Sequence, residues 1–422
     1  MWFYVIGILR ARQIAEAETK QIPRGNLSDL YPRWLGAREL LLHHSNPYSR
    51  EVTLEIQEGY YGRQLDPTRA NDPKDQQGFA YPVYVVFLLA PLVGIPFPAL
   101  LIAFYWSLVL LTGASVWLWL HTLRWQLPLI AIATCMVLTL GSFPAVQGIK
   151  LQQLSLLVAT LLAASAACVA SGFLFCGGAL LALATIKPQL AWPLVAWLLL
   201  WAVADWPNRR RLVFGFGLTM ALLLGGAEII LPGWWRMFAE AIGQYRHYTQ
   251  SQSVLEVMLN QIFGSAASGV VGRIGGQILA AIAVLACLPV LWKLRGQAAD
   301  ASGFSCGTAL ALALTVLVVP MYAPYNQVLL LPAILLLLRE RAVFLSRSRG
   351  RRLAYQLGAV VVGWQWVASL GLTATYWLLS RDLALRGWEW PFFTTFALPV
   401  CVFTLIFFYV KDEPRRLQDI HS

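Results

Sequence analysis

From about Tyr81 onward, apolar runs alternate with short polar turns, whereas the stretch from Arg10 to about Tyr81 is polar throughout. The runs predict membrane helices over residues 81–93, 98–120, 127–140, 154–170, 173–186, 190–204, 212–231, 269–292, 308–321, 328–338, 353–379 and 392–410. Several fall short of the ~20 residues that a straight span needs. Pro91, Pro96, Pro144, Pro188, Pro320 and Pro324 lie in or beside them. Short, proline-broken spans suit helices packed around a water-filled cavity better than a plain lipid-facing bundle.

The polar stretch has its own pattern. Leu30, Trp34, Leu35 and Leu40-Leu41-Leu42 recur at helical spacing, which predicts a helix lying along the membrane surface with Arg33, Arg38 and Glu39 turned away from it. Asp29 stands near its start, Asn46-Pro47-Tyr48 ends it in a turn, and residues 51–61 form a second helix. Trp234, Phe238, Ile242 and Tyr245 give another surface stripe in the loop 232–263. Residues 1–9 are apolar but too short to cross a bilayer, and they lack a basic start and a cleavage site. They read as the remnant of a first transmembrane helix.

Composition agrees with the pattern. The chain is 58% hydrophobic and only 13% charged, which excludes an ordinary soluble domain. Its net charge is +11, from 32 basic and 21 acidic residues. Residues 10–78 hold ten of each, so the remainder holds 22 and 11 and carries the whole excess. That excess sits in clusters between apolar runs (Arg209-Arg210-Arg211, Lys293/Arg295, Arg339 to Arg352, Lys411/Arg415/Arg416), a pattern of cytoplasmic loops and not of nucleic-acid binding. Residues 10–80, Gln147 to Gln153, Lys187, the loop 232–263 and residues 322–327 then belong to the opposite face, with residues 411–422 as a cytoplasmic tail. The pieces 81–93 and 98–120 cannot both cross if residues 10–80 are outside. The six cysteines and five histidines show no metal-ligand spacing.

Five segments in order carry a resemblance: "SDLYPRWLGARELLLHHSNPYS", "FAYPVYVVFLLAP", "QGIKLQQLSLL", "GALLALATIKPQL" and "YAPYNQVLLLPAIL". Together they resemble glycosyltransferase family 87, the polyprenyl-phosphate-dependent mannosyltransferases of the GT-C membrane fold. The resemblance implies an all-α polytopic membrane protein, a single domain over residues 1–422 with roughly 10–13 transmembrane helices and a large external first loop. It implies an inverting transfer of a hexose, mannose first, from a polyprenyl-phosphate sugar to a glycolipid or glycan acceptor. No metal or other cofactor is implied. The site would face outward from a plasma or inner membrane.

Particular residues carry that chemistry. Inverting transfer needs a base for the acceptor hydroxyl while the phosphate leaves as an anion. Asp29 is the candidate base; its competing reading is a helix cap or an ion pair with Arg33. Lys187, beside Pro188 at membrane depth, is a candidate for the donor phosphate, with snorkelling as the alternative and Lys150 as a second candidate. Gln147, Gln152 and Gln153 suit sugar hydroxyls or helix packing equally, as do Tyr322 and Tyr325. Tyr81 joins the sugar-binding set. The family often carries His near Asn326 and Gln327, where this chain has amides; with His247 from the external loop, these complete the phosphate candidates. Arg236 and Arg246 stand beside His247 with similar standing. Asp66, Asp72 and Asp75 read as a solvated loop. A solute transporter or lipid flippase is the main rival, since it needs broken helices and buried polar groups without any chemistry; a polysaccharide polymerase comes third.

Overall fold

The computed structural model describes residues 1–66, 68–249, 252–263, 268–346 and 348–421, and every regular element among them is helical. A π-helical turn, Tyr4–Leu9, runs directly into α1 (Arg10–Lys20). The polar stretch then folds into α2 (Tyr31–His43) and α3 (Arg50–Tyr61), the latter started by Ser49, whose Oγ accepts from the Val52 N–H at 3.2 Å. A short α4 (Val85–Leu89) precedes α5 (Phe97–Thr122), α6 (Leu129–Leu140), α7 (Phe143–Lys150), α8 (Leu154–Ala170) and α9 (Leu174–Leu183). The bundle continues through α10 (Pro188–Val203) and α11 (Trp206–Ile230) to two surface helices, α12 (Trp234–Thr249) and α13 (Val254–Phe263). It closes with α14 (Ser268–Leu294), α15 (Ser302–Val318), α16 (Leu331–Arg339), α17 (Arg341–Ser346), α18 (Arg349–Leu378), α19 (Arg381–Arg386) and α20 (Ala397–His421).

Five segments among the described residues are long and apolar enough to cross a membrane: α5, α11, the greater part of α14, α18 and the stretch Arg381–Asp412. The pair α6 and α7, bent by 60°, counts as a sixth if the two form one broken span, and there are five shorter apolar helices among the described residues. The chain is a polytopic membrane protein. Its long spans expose apolar side chains such as Leu110, Ile229, Leu285 and Trp377 outward, as a lipid-facing surface requires. α9 and α11 cross through glycine: a Cβ on Gly178 would strike the Leu212 carbonyl, and one on Gly215 would strike the Phe175 carbonyl. Small residues let membrane helices approach this closely.

The structure resolves the ambiguity between Tyr81 and Arg124. Pro91, Gly94 and Pro96 interrupt the run, so residues 85–92 make only α4 and one 3₁₀ turn, Ala90–Leu92. That piece is shorter than a span, and α5 begins beside α2, with Phe97 packed on Tyr31 and Trp34. At the far ends of the helices the basic residues tie loops together. Arg209 donates to the carbonyls of Trp201 and Arg295 at 2.8 Å and of Gln297 at 3.0 Å, and Arg339 donates to the Leu123 carbonyl. α10 starts beside Lys187 and ends near Arg209, so ~24 Å of helix separates the two.

The first residues are anchored. Tyr4, Val5, Ile8 and Leu9 pack with Phe143 and Val146 of α7, Leu372 of α18 and Ala384 of α19. The Tyr4 hydroxyl donates to the Trp388 carbonyl at 2.6 Å. The entry to the polar stretch is thereby fixed to the bundle. α2 departs from the expectation of one wet face. Leu30, Trp34, Leu35 and Leu40 are buried as expected, but Leu42 at the end of the helix is exposed, and Glu39 is buried and bonds His43 at 2.9 Å. Gly36 lies so close to Phe79 that a Cβ would strike its ring. α2 is covered on more than one side because the segment leading to α4 folds back over it.

Candidate active site

Three helix breaks and the start of α2 meet at one depth. Pro188 bars Lys187 from the helical region, so Lys187 sits extended (φ −120°, ψ 80°) between the 3₁₀ turn Ala184–Ile186 and α10. Its side chain is 8% exposed. Between α7 and α8 the chain turns through Gln152, which takes φ +48°, and delivers Gln153 to the N-terminal position of α8. Gln153 makes no cap, so its amide is free to point into the break. The third break lies between α15 and the 3₁₀ segment Pro324–Leu330, which carries Tyr325.

Asp29 is brought to these breaks by its backbone. Its N–H donates to the Leu151 carbonyl at 2.9 Å, tying the loop before α2 to the turn after α7. The helix-cap reading does not hold: Leu30 occupies the cap position of α2 and no side chain caps it. The carboxylate instead accepts from Gln153 Nε2. Gln153 Oε1 in turn accepts from Lys187 Nζ at 2.9 Å, and Lys187 also donates to Ser155 Oγ at 2.7 Å. Ser155 donates to Asn326 Oδ1 at 3.0 Å. One polar chain thus links Asp29 to Lys187 and passes behind it to Asn326.

Asp29, Gln153 and Lys187 line a cavity of about 530 Å³ together with Tyr81, Tyr325, one face of α12 and the segment 75–80. Lys187 lies over the rings of Tyr81 at 5.6 Å and Tyr325 at 5.5 Å. Arg33 enters the same cavity and stacks over Tyr81 at 4.8 Å, and its buried Nε has no hydrogen-bond partner. Burial pushes the Asp29 carboxyl above its ordinary value, and the opposing Arg33 and Lys187 charges do not fully offset it. The result is a carboxylate beside two cations in a roofed, water-accessible space. Such an arrangement can take a proton at one point and hold an anion at another.

Of the residues singled out from sequence, Asp29, Tyr81, Gln153, Lys187 and Tyr325 line this cavity. Asn326 stands directly behind it. Gln327 donates to the Thr395 carbonyl at 2.7 Å and to the Tyr322 hydroxyl at 3.3 Å, and Tyr322 packs on Phe396, so this pair braces the wall. Gln152 turns back onto its own backbone, donating to the Lys150 carbonyl at 3.0 Å. Gln147 and Lys150 line a separate groove with Arg24. His247 is exposed on α12, while its neighbour Arg246 reaches the cavity wall. Arg33, Asp75, Gln189 and Tyr245 join the lining without having been singled out for it. For Tyr245 the signal was present in the α12 stripe. For Arg33 it was its position one helical turn beyond Asp29.

A model of glycosyltransferase family 87 matches residues 79–320, 242 of the 422 residues. The matched stretch contains Tyr81, Gln153 and Lys187, and Asp29 lies ahead of it. No curated protein and no solved structure matches the chain.

Proposed function

Because the chain belongs to glycosyltransferase family 87, and is therefore a membrane glycosyltransferase, we propose that it moves a hexose from a polyprenyl-phosphate donor to a hydroxyl of a glycolipid or glycan. Mannose is the first candidate sugar. The observation that carries this reading is the junction of Asp29 and Lys187 through Gln153 within one cavity. The Arg33 and Lys187 charges suit a lipid phosphate, held by Lys187 as a point charge. In the reaction the acceptor oxygen bonds the anomeric carbon as the bond to the phosphate oxygen breaks. The electron pair leaves with the phosphate, and the acceptor proton passes to Asp29. Attack from the face opposite the phosphate inverts the anomeric centre. A polyprenyl phosphate departs as a stable anion, so a general acid is not required.

The basic loops at the far ends of the helices favour a cytoplasmic position for that end, which gives the cavity an extracytoplasmic opening. Trp192 and Phe238 at its rim provide an apolar path for a polyprenyl chain. Family membership, together with a carboxylate set beside two cations, favours a transferase over the transporter alternative. Purified protein in lipid nanodiscs is expected to transfer sugar from a polyprenyl-phosphate hexose to an alkyl glycoside. Transfer that instead required a nucleotide sugar would refute the donor assignment.

A further inference from the structure

Asp75 reads from sequence as part of a solvated loop, yet it is half-buried and faces the cavity that holds Asp29. Its surroundings hold it in place. Oδ1 accepts from the Gln77 N–H and Oδ2 from Gln77 Nε2, both at 2.9 Å. Gln77 adopts φ +54°, a conformation costly for a residue with a side chain. α3 clamps the same turn from behind: the Tyr61 hydroxyl donates to the Asp75 carbonyl at 3.0 Å, and the buried Gln57 donates to the Gln76 side chain at 2.8 Å. A strained, doubly clamped turn that presents a carboxylate to a cavity is a built feature. Each carboxylate oxygen keeps a further lone pair for an outside donor.

The position of Asp75 along the cavity gives it a role. Lys187 makes its contacts with Gln153, Ser155, Tyr81 and Tyr325, at the end argued to hold the phosphate. Asp75 has a different set of contacts, with Gln77 and the α3 side, and Arg33 is its charged neighbour. Asp29 lines the same cavity as both. In an inverting displacement the nucleophile approaches from the side away from the leaving phosphate, so an acceptor needs partners in the cavity other than Lys187. Tyr245 lines the cavity as well. A carboxylate with an aromatic ring nearby is a common way to hold a sugar, by hydroxyl hydrogen bonds and ring contact.

We propose that Asp75, oriented by Gln77, is the acceptor subsite of this enzyme and binds hydroxyl groups of a neutral sugar acceptor in the cavity it shares with Asp29. The proposal rests on the transferase reading above. Asp75→Asn tests it, because the asparagine Oδ1 still accepts from the Gln77 N–H, and Gln77 can turn its amide so that Oε1 accepts from the new Nδ2, which preserves the turn. With a polyprenyl-phosphate mannose donor and octyl α-mannoside as acceptor, KM for the acceptor is expected to rise about tenfold or more. Donor binding, read as the Tm rise that the donor produces, is expected to stay as in the wild type. Gln77→Gly relaxes the backbone but releases Oδ2, and is expected to raise the acceptor KM as well. An unchanged acceptor KM in Asp75→Asn would overturn the proposal, as would weakened donor binding. Wild-type protein that transferred to no glycoside would sink the underlying transferase reading and this proposal with it.

Discussion

Replacing Lys187 by methionine separates a substrate-binding cation from a structural one. The ammonium is buried, and its hydrogen-bond partners are neutral, Gln153 Oε1 and Ser155 Oγ, with two aromatic rings beside it. Asp29 is reached only through Gln153. A buried cation of this kind pays a desolvation penalty of several kcal/mol that neutral partners repay only in part. Methionine fills a similar volume, and Ser155 keeps its bond to Asn326. The empty protein is therefore expected to keep its Tm or gain slightly. With donor present the balance reverses. A unit charge ~4 Å from a phosphate at an effective dielectric of ~20 contributes ~4 kcal/mol, which as a full loss is ~10³ in rate. Arg33 shares the same cavity and retains part of it, so kcat/KM for a polyprenyl-phosphate hexose should fall about 10²- to 10³-fold. The assay is transfer in nanodiscs alongside thermal unfolding of the same preparations. Transfer within about fivefold of wild type would refute the phosphate role. Loss of transfer together with a large drop in Tm would make Lys187 a structural residue.

Two further outcomes follow from other parts of the molecule. Base catalysis needs Asp29 ionised, and burial raises its pKa, so kcat/KM should fall on acidification with a midpoint above the ordinary carboxylate range of ~3.9; an acid limb that persisted unchanged in Asp29→Asn would assign it to another group. Gly178→Val would push a side chain against the Leu212 carbonyl and the Phe216 amide of α11, backbone atoms that cannot rotate away, and should destabilise the protein by ~1–3 kcal/mol; an unchanged Tm in detergent would show that α9 and α11 do not depend on that approach.

The apolar runs made most helices legible, because a membrane helix must satisfy its backbone internally and declares itself by length and composition. Residues 154–170 match α8 from end to end, and 51–61 differ from α3 by one residue. Residues 81–93 were ambiguous from sequence, since Pro91 and the following Gly94 and Pro96 break the apolar stretch, and the structure forms only α4 and one 3₁₀ turn there. In α2, helical spacing identified Trp34, Leu35 and Leu40 but not the direction of Arg33 and Glu39, since one helix's periodicity does not reveal that a distant segment packs over its second face. Asp29, Gln153 and Lys187 were each legible as polar groups beside apolar runs; their union depends on the meeting of three breaks, which only tertiary structure supplies. Asp75 was the least legible, because among Asp66, Asp72 and Asp75 the sequence carries nothing to mark which one turns inward. Asp72 is taken up by Arg63 and the Asp66 N–H, and Asp75 alone of the three lines the cavity. The anchoring of residues 1–9 had a local signal, their apolar character, but its partners in α7, α18 and α19 are far along the chain.

In the proposed reaction Asp29 receives the acceptor proton, and Asp29→Asn measured for donor binding and for transfer in one preparation tests this most directly. The amide keeps the size of the side chain, so the cavity and Lys187 should still bind a polyprenyl-phosphate hexose. The predicted result is donor binding near the wild-type value with transfer reduced by about 10²- to 10⁴-fold. Transfer at the wild-type rate by Asp29→Asn would contradict the central claim.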